Sequence, residues 1–125
     1  VSCTASFTQR AAIEATDGPQ VDSNRMVEEF KKRRSIVVGG LNKIDGITCA
    51  IPSGAFYVFP NVEGTGISSS EFANRVLEEA GVAVLAGESF GKYGTGYVRI
   101  SFSNSTENLI TAIDRIQKFV DSLEV

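Results

Sequence analysis

Apolar residues recur along this chain with two different periods, and the switches between them mark out its elements. From Val21 to Leu41 the residues Met26, Val27, Phe30, Val37, Val38 and Leu41 fall at helical spacing. Glu28–Lys32 and Glu29–Arg33 are set as i,i+4 pairs of favourable orientation, so the stretch predicts one long amphipathic helix. A shorter helix is expected before it, over Ser6–Thr16: Ser6 is cap-like with Gln9 three residues on, and Asp17-Gly18-Pro19 closes the helix in a turn. Ser68 forms a capping box with Glu71. Behind it Phe72, Ala73, Val76, Leu77 and Ala80 build an apolar face, and Gly81 stands where a left-handed residue ends a helix. Leu109, Ile113, Ile116, Val120 and Leu123 follow Ser105-Thr106-Glu107 at helical spacing and predict a terminal amphipathic helix.

Between these helices the pattern shortens. Thr48–Ile51 and Ala55–Pro60 are β-branched or aromatic runs joined by Pro52-Ser53-Gly54, which suit a tight reversal, so an antiparallel pair is expected. Val82–Ala86 is continuously apolar and reads as a strand buried on both faces. Residues 87–96 then hold Gly87, Gly91, Gly94 and Gly96, and Tyr97–Phe102 alternates cleanly. Val98, Ile100 and Phe102 take one face there, which leaves Tyr97, Arg99 and Ser101 on the other. From residue 21 the order is α-β-β-α-β-β-α. The economical architecture is α+β, a small mixed or antiparallel sheet with helices packed on one side.

The chain has 125 residues, enough for one domain with its own core, and at 42% hydrophobic and 22% charged it reads as globular. Twelve Lys+Arg against fifteen Asp+Glu leave a net charge of −3, which argues against nucleic acid or an anionic membrane as partner. There is no histidine. That excludes Ser-His-Asp and Cys-His nucleophile systems, HExxH metal sites and histidine pH switches together. Cys3 and Cys49 are too few for a structural zinc site, show no CxxC spacing, and read as reduced thiols. No apolar run approaches the ~18 residues a membrane span needs and no charged-then-apolar leader is seen, so a cytoplasmic location is expected. The chain starts at Val1 and its one methionine is Met26, so either a processed protein or, the preferred reading, a piece of a longer protein is expected.

Few side chains are placed for chemistry. Gly87 to Lys92 resembles a P-loop superficially, yet only three residues separate Gly87 from Gly91, and Tyr93 stands where Ser or Thr must ligate magnesium. Gly91, Gly94 and Gly96 also lack the order and context of a dinucleotide fingerprint, so a turned loop beside a site is the better reading. Arg99 is the sharper candidate, because a charge inside an apolar strand needs a partner and a guanidinium is a planar fork matched to a carboxylate. A salt bridge, a solvated sheet face and a ligand site are all open to it; the adjacent glycines leave room for the last. Among lysines, Lys31 and Lys32 lie in a solvated cluster with Arg33 and Arg34, Lys43 and Lys118 lie on or beside helices, and Lys92 has the best location. The paired Glu28-Glu29 and Glu78-Glu79 point apart on their helices, and Tyr57, Tyr93 and Tyr97 suit packing or hydrogen bonding.

Taken in order, several segments are recognisable as a set: Arg33-Arg34, Leu41-Asn42-Lys43-Ile44-Asp45-Gly46, Pro52 to Pro60, Leu77 to Val84, Phe90-Gly91, and Gly96-Tyr97-Val98-Arg99-Ile100-Ser101. The chain resembles the C-terminal part of class I aminotransferases, in particular the prokaryotic aspartate aminotransferase branch of the fold-type-I pyridoxal-phosphate enzymes. Ser6 to Ala12 is similar to the family's helix before its long linking helix. The resemblance implies residues 1–20 as a leading helix and turn, and 21–125 as the small domain that closes over substrate. It maps the family's α-carboxylate-binding arginine onto Arg99, and it places no catalytic, cofactor-binding or metal residue here. The Schiff-base lysine and the pyridoxal-phosphate contacts belong upstream, so the fragment is expected to be inactive and to bind no cofactor itself. The resemblance further implies a homodimeric parent that exchanges an amino group between an amino acid and a 2-oxo acid. One departure stands inside the matched region: Ala86 precedes Gly87 where the family usually has proline. The alternative reading is a free-standing regulatory module that binds an amino acid or dicarboxylate.

Overall fold

Among the described residues, 2–123, the computed structural model has four helices and three short strands: α1 (Ser6–Asp17), α2 (Val21–Leu41), β1 (Tyr57–Val58), α3 (Ser69–Ala80), β2 (Leu85–Ala86), β3 (Val98–Ser101) and α4 (Thr106–Asp121). Val1 and the last two residues of the expected small domain, 124–125, lie outside the described residues. The strands form one antiparallel sheet in the order β1-β3-β2. Its architecture is the expected α+β one.

Helix ends follow local chemistry. The Ser68 hydroxyl accepts the Glu71 N–H at 3.2 Å and Gly81 closes α3 at φ 66°, while Ser105 accepts from Asn108 at the start of α4. The Glu71 carboxylate turns away to Arg75, at 3.6 Å, so only the serine half of the capping box forms. Two other expectations need correction. Ser6 is the first residue of α1 rather than its cap; Ala5 holds that position without a side-chain bond, and Gln9 reaches back to the Thr4 carbonyl at 2.9 Å. On α2, Glu29 pairs with Arg33 as expected, at 3.2 Å, but Glu28 takes Lys31 at 2.7 Å instead of Lys32.

The expected strand pair of 48–51 with 55–60 is also not what forms. It shrinks to a single bridge, Thr48 to Asn61. Side chains of α2 and the residue after it intercept the intervening backbone: Asn42 bonds both the N–H (2.8 Å) and the C=O (2.9 Å) of Cys49, and Arg34 donates to the Pro52 carbonyl at 2.9 Å. Residues 56–61 pair instead with β3, in one register from Phe56/Phe102 through Tyr57/Ser101 and Val58/Ile100 to Asn61/Tyr97. Pro60 accepts from Val98 at 3.0 Å but has no N–H to return, which confines regular strand to Tyr57–Val58. Val82–Ala86 is not buried on both faces. Helices cover one side of the sheet alone, so Val82 faces the core and Leu85 is 49% exposed. The observed order from residue 21 is therefore α-β-α-β-β-α.

The core fills the space between that sheet face and α2, α3 and α4. Val37, Val38 and Leu41 meet Phe72 and Val76, Leu109, Ile116 and Phe119, and Val58, Val98 and Phe102. Phe72 and Phe119 pack edge to face at 5.4 Å, and each fully buried apolar side chain contributes about 1.5–3 kcal/mol. By contrast α1 buries no residue at all. No helix among the described residues is long and apolar enough to cross a membrane.

Candidate functional site

The helix-free face of the sheet carries the candidate site. Alternation along β3 sends Val98 inward, completely buried, and turns Arg99 to the outer face, as the sequence pattern predicts. Register brings Tyr57 and Phe59 to that face from the β1 side and Leu85 from β2. Tyr97 stacks on Phe59 at 5.5 Å, and Phe90, from the turn after β2, meets Phe59 edge to face at 6.0 Å.

Arg99 is half-buried at the centre of this aromatic surface. Its guanidinium carbon lies 4.4 Å from the Tyr57 ring centre and 4.2 Å from that of Phe90. Tyr57 approaches from the Ser101 end of β3, and Phe90 from the end where Phe59 and Tyr97 stack. Among the described residues no carboxylate pairs with Arg99. The three alternatives for this charge narrow accordingly: it is neither in a salt bridge nor simply solvated, but stabilised by ring quadrupoles that leave its N–H donors available. Such a group binds a planar anion in the plane of its fork.

The loop from 87 to 96 is tied rather than loose. Gly87 and Gly94 approach so closely that a Cβ on either would collide with the other's carbonyl oxygen. The hydroxyl of Ser69, 1% exposed, donates to the Glu88 carboxylate and accepts the Gly96 N–H at 3.1 Å. That bond, together with the backbone N–H of Glu88, holds the Glu88 carboxyl below its ordinary pKa. No periodicity pointed to Ser69 or Glu88, because they lie on different elements. Phe90 was legible only as part of the Phe90-Gly91 match, and Tyr57 as part of the Pro52–Pro60 match and as a packing or hydrogen-bonding residue.

The other candidates do not join this face as reactive groups. All five lysines are exposed; Lys31 and Lys118 pair with carboxylates of their own helices, and Lys92 lies over the Tyr93 ring at 4.9 Å. Cys49 is buried, which pushes its thiol up to about 11. Cys3 is exposed.

Known proteins with this pattern agree with one another. The chain is 50% identical over 121 residues to an aspartate aminotransferase of Pyrococcus horikoshii, a match covering 94% of this chain and 30% of that protein. It is 43% identical to a probable N-acetyl-LL-diaminopimelate aminotransferase of Bacillus subtilis, across 96% of the chain and 30% of that protein. The crystal structure of the aspartate aminotransferase from Rhizobium meliloti superposes with a TM-score of 0.92 at 36% identity, covering 99% of this chain and 33% of the other. The chain thus spans about a third of the length of the relatives it matches. The family model for aminotransferase class I and II matches residues 1–116, and the chain belongs to that family.

Proposed function

We propose that this chain is the C-terminal small domain of a pyridoxal-phosphate-dependent, aspartate-type aminotransferase, with residues 1–20 leading into a domain of residues 21–125. In this reading Arg99 binds the α-carboxylate of an amino-acid or 2-oxo-acid substrate, and the domain closes over it. The carrying observation is the half-buried guanidinium between two rings, with no carboxylate paired to it among the described residues. The parent protein is read as a cytoplasmic homodimer.

The described residues do not fit the cofactor. A Schiff-base lysine works when desolvation or a neighbouring cation lowers its pKa, and every lysine here is exposed. When bound elsewhere in the parent, the cofactor supplies the electron sink. This chain's part is to bind and orient. A bidentate pair from Arg99 fixes the substrate's α-carbon in one attitude, and the aromatic surface around it sheds water on closure, which strengthens the pair.

Mixing the 125-residue chain with pyridoxal phosphate and then borohydride tests the division of labour. No stoichiometric trapped adduct is expected; one at a single lysine overturns the reading. Sub-millimolar binding of aspartate or maleate by the chain alone, lost in Arg99→Ala, would favour the free-standing module instead, since single exposed ion pairs contribute little.

A further inference from the structure

Ser69 is the first residue of α3, yet its hydroxyl does nothing for that helix. Ser68 makes the cap. Ser69 points inward, 1% exposed, and spends both its hydrogen-bonding functions on the glycine loop: it donates to Glu88 at the loop's start and accepts from Gly96 at its end. Glu88 and Phe90 belong to one 3₁₀ turn, Gly87–Phe90, so a tie at Glu88 also restrains the backbone that carries the Phe90 ring. That ring is one of the two on Arg99.

From this geometry we infer that Ser69 and Glu88 form a clasp that positions the carboxylate-binding arginine, acting through Phe90. The inference rests on the reading of Arg99 as the substrate clamp and adds residues to that same site. A guanidinium on a long side chain has many rotamers; rings on both sides restrict it to a plane. With Phe90 held, Arg99 presents its in-plane N–H edge to the incoming carboxylate before binding, so less ordering remains to be done on association. Without the clasp the turn carrying Phe90 keeps the Gly87 N–H bond to the Tyr97 carbonyl, the Gly87–Gly94 contact and the Phe59 ring, but loses its side-chain tie to α3, and one ring leaves the arginine for part of the time.

Steady-state kinetics of the full-length protein carrying this chain provide the first test. Phe90→Ala and Glu88→Ala are expected to raise KM for the amino acid about three- to tenfold with kcat within about twofold. Glu88→Gln is expected to recover most of that loss, because an amide oxygen still accepts the Ser69 hydroxyl. Wild-type KM in Glu88→Ala, alongside a raised KM in Arg99→Ala, overturns the clasp and leaves the clamp standing. Wild-type KM in Arg99→Ala overturns the clamp itself. A second measurement needs no activity: in the 125-residue chain the Arg99 Nε–H proton resonance should carry an upfield ring-current shift. Glu88→Ala should move it toward the position seen in Phe90→Ala. A resonance that Phe90→Ala moves and Glu88→Ala does not also overturns the clasp.

Discussion

A guanidinium set in an apolar strand needs compensation, and Arg99 finds it in the rings of Tyr57 and Phe90. Alternation in the sequence placed Arg99 on the correct face, since a period of two is fixed by strand geometry alone. The rings were not legible in that way: one arrives through the β1–β3 register and the other through a glycine loop, and both depend on tertiary pairing. The cysteines show the same divide between residue type and environment. Burial pushes Cys49 up to about 11 from an ordinary 9.0, while Cys3 is exposed. A thiol titration of the folded chain at pH 8 should modify Cys3 rapidly and Cys49 only after unfolding. Because the folded pKa is the higher one, the stability linked to Cys49 is complete below pH 9 and lost as pH rises toward 11. A Cys49→Ala variant should lack that part of the alkaline decline in Tm.

Helices were legible from sequence nearly to their ends, because their apolar spacing and caps are local. Strands were not. The 48–51 run has the composition of a strand, but Asn42 satisfies Cys49 and Arg34 satisfies Pro52, so the backbone has no need of a neighbour there. Pro60 likewise trims β1 at a position where the ladder wants a donor. Ala86 is the opposite case. Its φ is −60° and ψ 135°, and the bond from Gly87 N–H to the Tyr97 carbonyl makes the neighbouring Ala86–Val98 pair a non-hydrogen-bonded one. The departure from the family's proline therefore leaves the backbone as a proline would set it. Ala86→Pro should raise stability by about 0.4–1 kcal/mol through the unfolded state, read as a higher Tm. Gly87→Ala should lower it, since the new methyl collides with the Gly94 carbonyl.

At the scale of the whole molecule, apolar surface is divided unevenly. The core between the sheet and α2, α3 and α4 is closed, whereas Phe7 is 79% exposed on α1, and Val21 and Met26 lie open on the first half of α2. The chain spans about a third of its relatives' length, and on the proposed reading these faces are covered in a longer parent protein. Hydrogen exchange of the 125-residue chain should accordingly show fast exchange through α1 and slow exchange in α3, α4 and the second half of α2. Protection of α1 equal to that of α4 would contradict this. On the proposed reading, the outer sheet face, with Arg99 at its centre, is the functional share of the same uncovered surface. Its role is tested most directly by initial transamination rates of the full-length protein carrying this chain, wild type against Arg99→Ala and Arg99→Lys. The account predicts that kcat/KM falls roughly 100-fold or more in Arg99→Ala and is recovered only in part by lysine, a point charge without the fork. Wild-type kcat/KM in Arg99→Ala would contradict it.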